Sequence, residues 1–275
     1  MYWETTQVFQ SFLGYRTASA YGLAVRDPTG RGGGVLEAGM WGLVGGVALL
    51  VGAGIALRWK IPSRVIGLVM AFGAGVLVSA VAFELAEEAF TADGGGVVTA
   101  GLLAGALTFY AGDWVIDRRG GAHRKRSGNE QAGGTASALV LGALLDGIPE
   151  SVAVGASLLG GGSVGVTVVV AVFLSNIPEA LGASTGLRTA GRSARWVLAL
   201  WTAVAVVSGV AAALGFALLG GAESGAVSLT QAFAAGAILT MLADTMMPEA
   251  LDKGGDAAGL VTSLGFVLAF LLSHG

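Results

Sequence analysis

Asp146-Gly147-Ile148-Pro149-Glu150 and Ser175-Asn176-Ile177-Pro178-Glu179 each stand in the middle of an apolar stretch, near 136–160 and 162–187, long enough to cross a bilayer. A helix in lipid ordinarily carries neither member of a Pro-Glu pair. Proline forfeits a main-chain hydrogen bond, and a carboxylate at the bilayer centre costs at least about 2.5 kcal/mol. Two such motifs at matching depth call for a compensating role, and binding something that crosses supplies one.

The rest of the chain sets these motifs in a membrane. Of 275 residues, 54% are hydrophobic and 12% charged, and the mean hydropathy is +0.76, which the surface of a water-soluble domain of this length would not tolerate. Glycine occupies 47 positions, a composition suited to helices that approach closely where no hydrophobic force drives them together. Cysteine is absent, so disulfides, thiolate metal ligands and cysteine nucleophiles are excluded.

Stretches of about 20 residues, enough to cross the hydrocarbon, fall near 38–57, 65–88, 95–116, 136–160, 162–187, 196–220, 226–250 and 257–273. This predicts an all-α integral membrane protein with eight transmembrane helices. Arg58, Lys60 and Arg64 follow the first stretch, Arg118, Arg119, Arg124, Lys125 and Arg126 the third, and Arg188, Arg192 and Arg195 the fifth. These alternate loops belong in the cytoplasm by the positive-inside rule, which puts both termini outside and makes this a multi-pass protein of the cell membrane. The last cytoplasmic connection, Asp252-Lys253-Gly254-Gly255-Asp256, is uninformative because its lysine is balanced by two acids. Residues 1–35 read as an exposed N-terminal tail with a short interfacial helix around Val8 to Tyr15, residues 36–275 as the transmembrane domain, and 117–134 as a basic, Gly-rich, disordered cytoplasmic loop.

An internal repeat is visible. Phe72-Gly73-Ala74-Gly75 aligns with Phe233-Ala234-Ala235-Gly236, Ser79 with Thr240, and Glu87-Glu88-Ala89 with Pro248-Glu249-Ala250, without gaps. The two segments run oppositely in the predicted topology, as do the fourth and fifth, which share Ile-Pro-Glu. The expected design is three helices and their inverted copies flanking a central pair, with the substrate near the midplane.

On a helix, residues four apart share a face, so Asp146 projects with Glu150 and Ser175 with Glu179. Pro149 frees the carbonyl of Leu145 and Pro178 that of Leu174. Kinked backbone at this depth is expected to line an interior pathway. Asp146, Glu150, Glu179, the Ser175 hydroxyl and the Asn176 amide together make an anionic, oxygen-rich candidate site for a cation. Oxygen-only ligands suit Mg²⁺, Mn²⁺ or Ca²⁺ better than Zn²⁺, which also accepts carboxylates. Glu84, Glu87 and Glu88 towards the outer end of the second segment, and Asp244 and Glu249 towards the inner end of the seventh, are candidate pathway residues; Glu84 and Asp244 are expected to sit deepest. His123 and His274 lie away from the centre, and Trp41, Trp59, Trp114 and Trp196 near segment ends read as an aromatic belt.

At these residues the chain resembles the Zrt/Irt-like (ZIP) divalent metal transporters, and their bacterial branch most closely in the seventh helix, Phe233-Ala234-Ala235-Gly236-Ala237 through Met247-Pro248-Glu249-Ala250. The family's fourth helix carries His-Asn-x-Pro-Glu-Gly, against which this chain reads Asp146-Gly147-Ile148-Pro149-Glu150-Ser151. Its fifth carries a related motif that begins with His and keeps Pro-Glu, against which this chain reads Ser175-Asn176-Ile177-Pro178-Glu179-Ala180. Both histidines are missing here. The glutamate that bacterial relatives often carry on the sixth helix is missing too, which argues against a two-metal centre. The resemblance implies an inverted 3+2+3 arrangement of eight helices and import of Zn²⁺, Mn²⁺ or Fe²⁺ into the cytoplasm through one site of Asp146, Glu150, Ser175, Asn176 and Glu179.

A transporter coupled to protons or carrying another cation is the nearest alternative, followed by a non-transporting membrane protein whose polar motifs only hold helices together. An enzyme is not expected, since a Ser-His pair within the membrane and cysteine are both lacking. No cofactor is expected, the metal being substrate. The partners are the metal ion and the lipid bilayer, a homodimer is allowed, and nucleic acid is excluded.

Overall fold

A computed structural model describes residues 31–121, 136–159 and 164–274. All regular structure among them is helical. Helix α1 spans Arg31–Arg58, α2 Ser63–Ser79, α3 Glu87–Ile116, α4 Ala136–Ser157, α5 Val164–Thr189, α6 Ala194–Leu219, α7 Ser224–Met241, α8 Met247–Gly254 and α9 Ala258–His274. π-helical turns at Ala80–Ala86 and Leu242–Met246 join α2 to α3 and α7 to α8. Local chemistry sets several boundaries. Pro62 precedes α2, Gly191 takes a positive φ of 83° between α5 and α6, and the Ser193 hydroxyl caps α6 by accepting from the Trp196 amide at 3.2 Å.

α1 begins at Arg31, inside the predicted tail; the interfacial helix expected at Val8 to Tyr15 lies outside the described residues. Of the predicted loop 117–134, Asp117–Gly121 extends α3 as a π-helical turn, and the remainder lies outside the described residues.

Six stretches among the described residues are long and apolar enough to cross a membrane. Two are far longer than one crossing needs: Ser63–Arg119, with 57 residues, and Ser224–His274, with 51. The first, if straight, would extend roughly 85 Å at 1.5 Å per residue. Each contains one glycine in a backbone conformation closed to other residues, Gly94 at φ 79°, ψ 175° and Gly255 at φ 63°, ψ −150°. Contacts on either side show that the chain reverses there. Before Gly94, Glu88 meets Gln231 and Asp93 meets Ser228 and Ser224, so this part runs against α7. After it, Gly101 lies at Leu229 and Ala232 and Gly105 at Phe233 and Ala237, so α3 runs with α7. Around Gly255, α8 likewise runs against α2, from Met246 beside Gly73 to Gly254 beside Gly67, and α9 runs with it, from Thr262 beside Gly75 to Ser273 beside Glu84.

No atom would meet a Cβ built at Gly94 or Gly255, so replacing either by alanine tests the backbone alone. Gly94→Ala and Gly255→Ala should each cost about 1–3 kcal/mol, read as a lower melting temperature in detergent. An unchanged melting temperature would show that the turn does not need this conformation.

The helix pairs form a pattern that repeats. α1 crosses α6 antiparallel; α1 runs parallel to α5, and α6 parallel to α4. α2 pairs with α9 and α7 with α3. Exchanging α1 with α6, α2 with α7, α3 with α9 and α4 with α5 maps the pattern onto itself. The crossings match in detail. Gly75 rests on the carbonyl of Thr262 and Gly265 on that of Phe72; in the other half Gly236 rests on the carbonyl of Leu102 and Gly105 on that of Phe233. The register that aligns Phe72 with Phe233 also superposes the two π-turns and brings Gly94 onto Gly255.

Candidate cation-binding site

α4 and α5 carry the two proline motifs. Both helices continue through Pro149 and Pro178, each with its proline inside the helix. Proline still removes a donor, leaving the carbonyls of Leu145 and Leu174 without a helical N–H. Neighbouring small residues make room for the motifs. Gly73 of α2 faces the α5 motif so closely that a Cβ would stand 2.6 Å from Pro178 Cγ and 3.4 Å from Ser175 Cα. Gly147 turns towards α6, where a Cβ would lie 3.4 Å from Val204 Cγ1 and 3.6 Å from Ser208 Oγ.

Burial of the predicted ligands is nearly complete. Asp146 and Glu150 are 1% exposed, Ser175 0%, and Asn176 and Glu179 5%. Five adjacent-motif polar groups withdrawn from the surface of a mainly apolar bundle represent a large desolvation cost. Ser175 Oγ donates to the carbonyl of Val172 at 3.0 Å, which leaves its lone pairs directed away from its own helix as acceptors for a cation. Asn176 Nδ2 donates to the carbonyl of Gly45 at 2.9 Å, tying α5 to α1 and leaving Oδ1 as its remaining acceptor. Ser151, just past the α4 motif, donates to the carbonyl of Gly147 at 2.6 Å.

α4 packs chiefly on α6 and α5 chiefly on α1, and the two touch each other lightly. Among the described residues, no group of three or more His, Cys, Asp or Glu side chains is gathered closely enough to hold a metal. An ion bound here would therefore complete its shell with hydroxyl, amide, main-chain or water oxygens beside the carboxylates.

The predicted pathway acids divide into different environments. Glu84, in the first π-turn, is buried and accepts from Ser273 Oγ at the end of α9. Glu88 accepts from Gln231 Nε2 at 3.0 Å, whereas Glu87 is exposed. Asp244 is exposed on the second π-turn. Glu249 is 1% exposed and faces Lys253 Nζ at 3.4 Å, one turn along its own helix. Lys253 thus pairs across an i,i+4 spacing, a pairing that the spacing itself signals in the sequence. Asp93, beyond the aligned Glu87-Glu88-Ala89, is a further acid at the N-terminal end of α7. It accepts from Ser224 at 3.0 Å and Ser228 at 2.6 Å at the start of α7, where a carboxylate complements the helix dipole.

These features define a multi-pass helical membrane protein with buried carboxylates in mid-helix. No family model matches the chain. Among curated proteins it is 29% identical over 190 residues to an Arabidopsis thaliana protein named "Putative zinc transporter"; the alignment takes in 68% of this chain and 30% of that protein. The chain therefore spans under a third of that relative's length.

Proposed function

We propose that this protein is a ZIP-type transporter that carries a divalent metal cation, Zn²⁺ or the related Mn²⁺ or Fe²⁺, into the cytoplasm. It is not an enzyme and uses no resident cofactor. The observation that carries the reading is the near-complete burial of Asp146, Glu150 and Glu179 in two equivalent Pro-Glu motifs. Carboxylates in hydrocarbon are costly, and a transported cation repays that cost while it replaces its hydration shell with protein oxygens. In this reading the ion is not held by all three carboxylates at once: fewer than three of Asp146, Glu150 and Glu179 meet it at any one position along the path, Ser175 Oγ, Asn176 Oδ1, main-chain and water oxygens complete its shell, and the Asn176 amide nitrogen fixes α5 against α1. Likeness to a protein named as a zinc transporter supports the metal class.

Chain reversals at Gly94 and Gly255 divide the two longest apolar stretches into two crossings each. That division yields eight crossings in alternating directions and supports the inverted 3+2+3 arrangement. Arg58, Lys60, Arg64, Arg188, Arg192 and Arg195 then lie at one end of the bundle, the cytoplasmic one, with both termini outside. Because the chain has no cysteine, single cysteines report topology directly. A cysteine at Gly191 should react with an impermeant thiol reagent only from the cytoplasmic face, and one at Glu223 only from outside. Labelling of both from one face would refute the alternating arrangement.

The function is tested in proteoliposomes of purified protein by uptake of radioactive zinc, manganese and iron. Saturable, protein-dependent accumulation of at least one of them is expected. Uptake no faster than in empty vesicles for all three would overturn the reading.

A further inference from the structure

Where α1 and α5 end together, Arg188 reaches from α5 and donates through Nη1 to the carbonyls of Ala56 at 2.9 Å, Leu57 at 3.2 Å and Trp59 at 3.5 Å. The last carbonyls of a helix have no intrahelical donor, so the guanidinium caps α1 and is itself held in one orientation. A guanidinium has five N–H donors, and those on Nη2 and Nε are not engaged by these carbonyls.

Beside it lies a cavity of about 290 Å³, lined by Ala56, Trp59, Lys60, Ile61, Thr185, Arg188 and Thr189. Two cationic side chains face this space and no acidic residue lines it. The Thr185 and Thr189 hydroxyl protons are spent on the carbonyls of Leu181 at 2.7 Å and Thr185 at 2.8 Å, so donors come from the charged groups. Such a lining repels a divalent cation, which places this cavity off the proposed metal route.

Its surroundings fit the membrane interface. Trp59 is 56% exposed with the Arg58 guanidinium 5.6 Å from its ring centre, and Arg64, Arg192 and Arg195 stand at the same end of the bundle. Trp and Ile61 offer apolar contact beside the fixed positive charge. An anion with a hydrocarbon attachment would satisfy both halves.

We propose that this cavity binds a phosphate anion, presented by the headgroup of an acidic phospholipid in the adjoining leaflet. Arg188 provides oriented, charge-assisted donors to the phosphate oxygens and Lys60 a mobile second charge. The proposal rests on the membrane reading but not on transport, and it is measured without metal.

The test uses the full chain in detergent, titrated with phosphatidylglycerol, with phosphatidylcholine as the neutral control, and separately with glycerol phosphate. Thermal stability and lipid retained in native mass spectra are the readouts. Phosphatidylglycerol should raise the melting temperature and remain bound where phosphatidylcholine does not. Lys60→Gln should weaken that binding about fivefold and Lys60→Arg should restore it. Lys60 makes none of the capping bonds, so these variants leave the α1 end intact. Glycerol phosphate binding as tightly as the lipid would support the phosphate site and assign it to soluble phosphate esters; much weaker binding assigns it to lipid. Equal binding of phosphatidylglycerol and phosphatidylcholine with no response to glycerol phosphate, or an unchanged affinity in Lys60→Gln, would overturn the proposal whatever the uptake assay gives.

Discussion

Glu150→Gln is expected to lower metal uptake in proteoliposomes by about two to four orders of magnitude while the protein still folds. Glutamine keeps the size and one acceptor oxygen of the side chain but removes the charge. Losing one charge of a buried, paired set costs about 3–5 kcal/mol, which converts to that range in affinity for the ion. Without metal the same substitution should leave the melting temperature unchanged or raised, because a 1% exposed carboxylate no longer has to be desolvated. Those opposite signs separate a transport role from helix cohesion. If Glu150 only glued helices together, glutamine would hydrogen-bond nearly as well and uptake would persist. Glu179→Gln occupies the equivalent place in the second motif and should behave alike. Wild-type uptake rates in both variants would refute the central site.

Gly75→Ala and Gly236→Ala should each destabilise the protein by about 1–3 kcal/mol, and leucine at either position by more. Gly75 sits against the main chain of Thr262 and Gly236 against that of Leu102, so a Cβ meets backbone atoms that cannot rotate away. The two sites occupy equivalent places in the two halves, and neither touches the other's partner helix. Their effects should therefore add to within roughly 0.5 kcal/mol in the double variant. Gly54, where a Cβ would meet nothing, is the control: Gly54→Ala should be neutral or slightly stabilising because alanine is the better helix former. Thermal unfolding in detergent measures all four. A Gly75→Ala protein as stable as Gly54→Ala would show that the helices can part without cost.

Much of the fold was legible in the sequence because hydrocarbon imposes a simple rule. Each crossing must satisfy its own backbone and stay apolar for about 20 residues, so the helices follow from composition alone. The observed helices overlap the predicted stretches, although α1 starts at Arg31, inside the predicted tail, and α3 at Glu87, ahead of the predicted third stretch. The alignment of Phe72 with Phe233 was likewise legible, and Gly94 and Gly255 fall into the same register as the two points of chain reversal. Helix ends were less legible. α2 passes through the π-turn straight into α3, and the helical run ends only at Asp93, because nothing between Ser79 and Gly94 breaks a helix.

The candidate site was legible as residue types but not as geometry. Buried carboxylates stand out in an apolar sequence, and the structure buries Asp146, Glu150 and Glu179. Which groups meet was a matter of helix rotation and distance, which periodicity leaves open by a full face. Asn176 spends its amide on Gly45, Lys253 turns to Glu249, Asp93 engages the start of α7, and Asp244 is exposed.

Sequence by itself determined that this is a helical membrane protein with acidic residues where lipid forbids them, because transfer free energy depends on residue type and stretch length alone. Only the tertiary structure decided how the helices pair and which polar groups touch. Pairing depends on where glycines let two backbones approach, and contact depends on the rotation each helix adopts once its neighbours are in place.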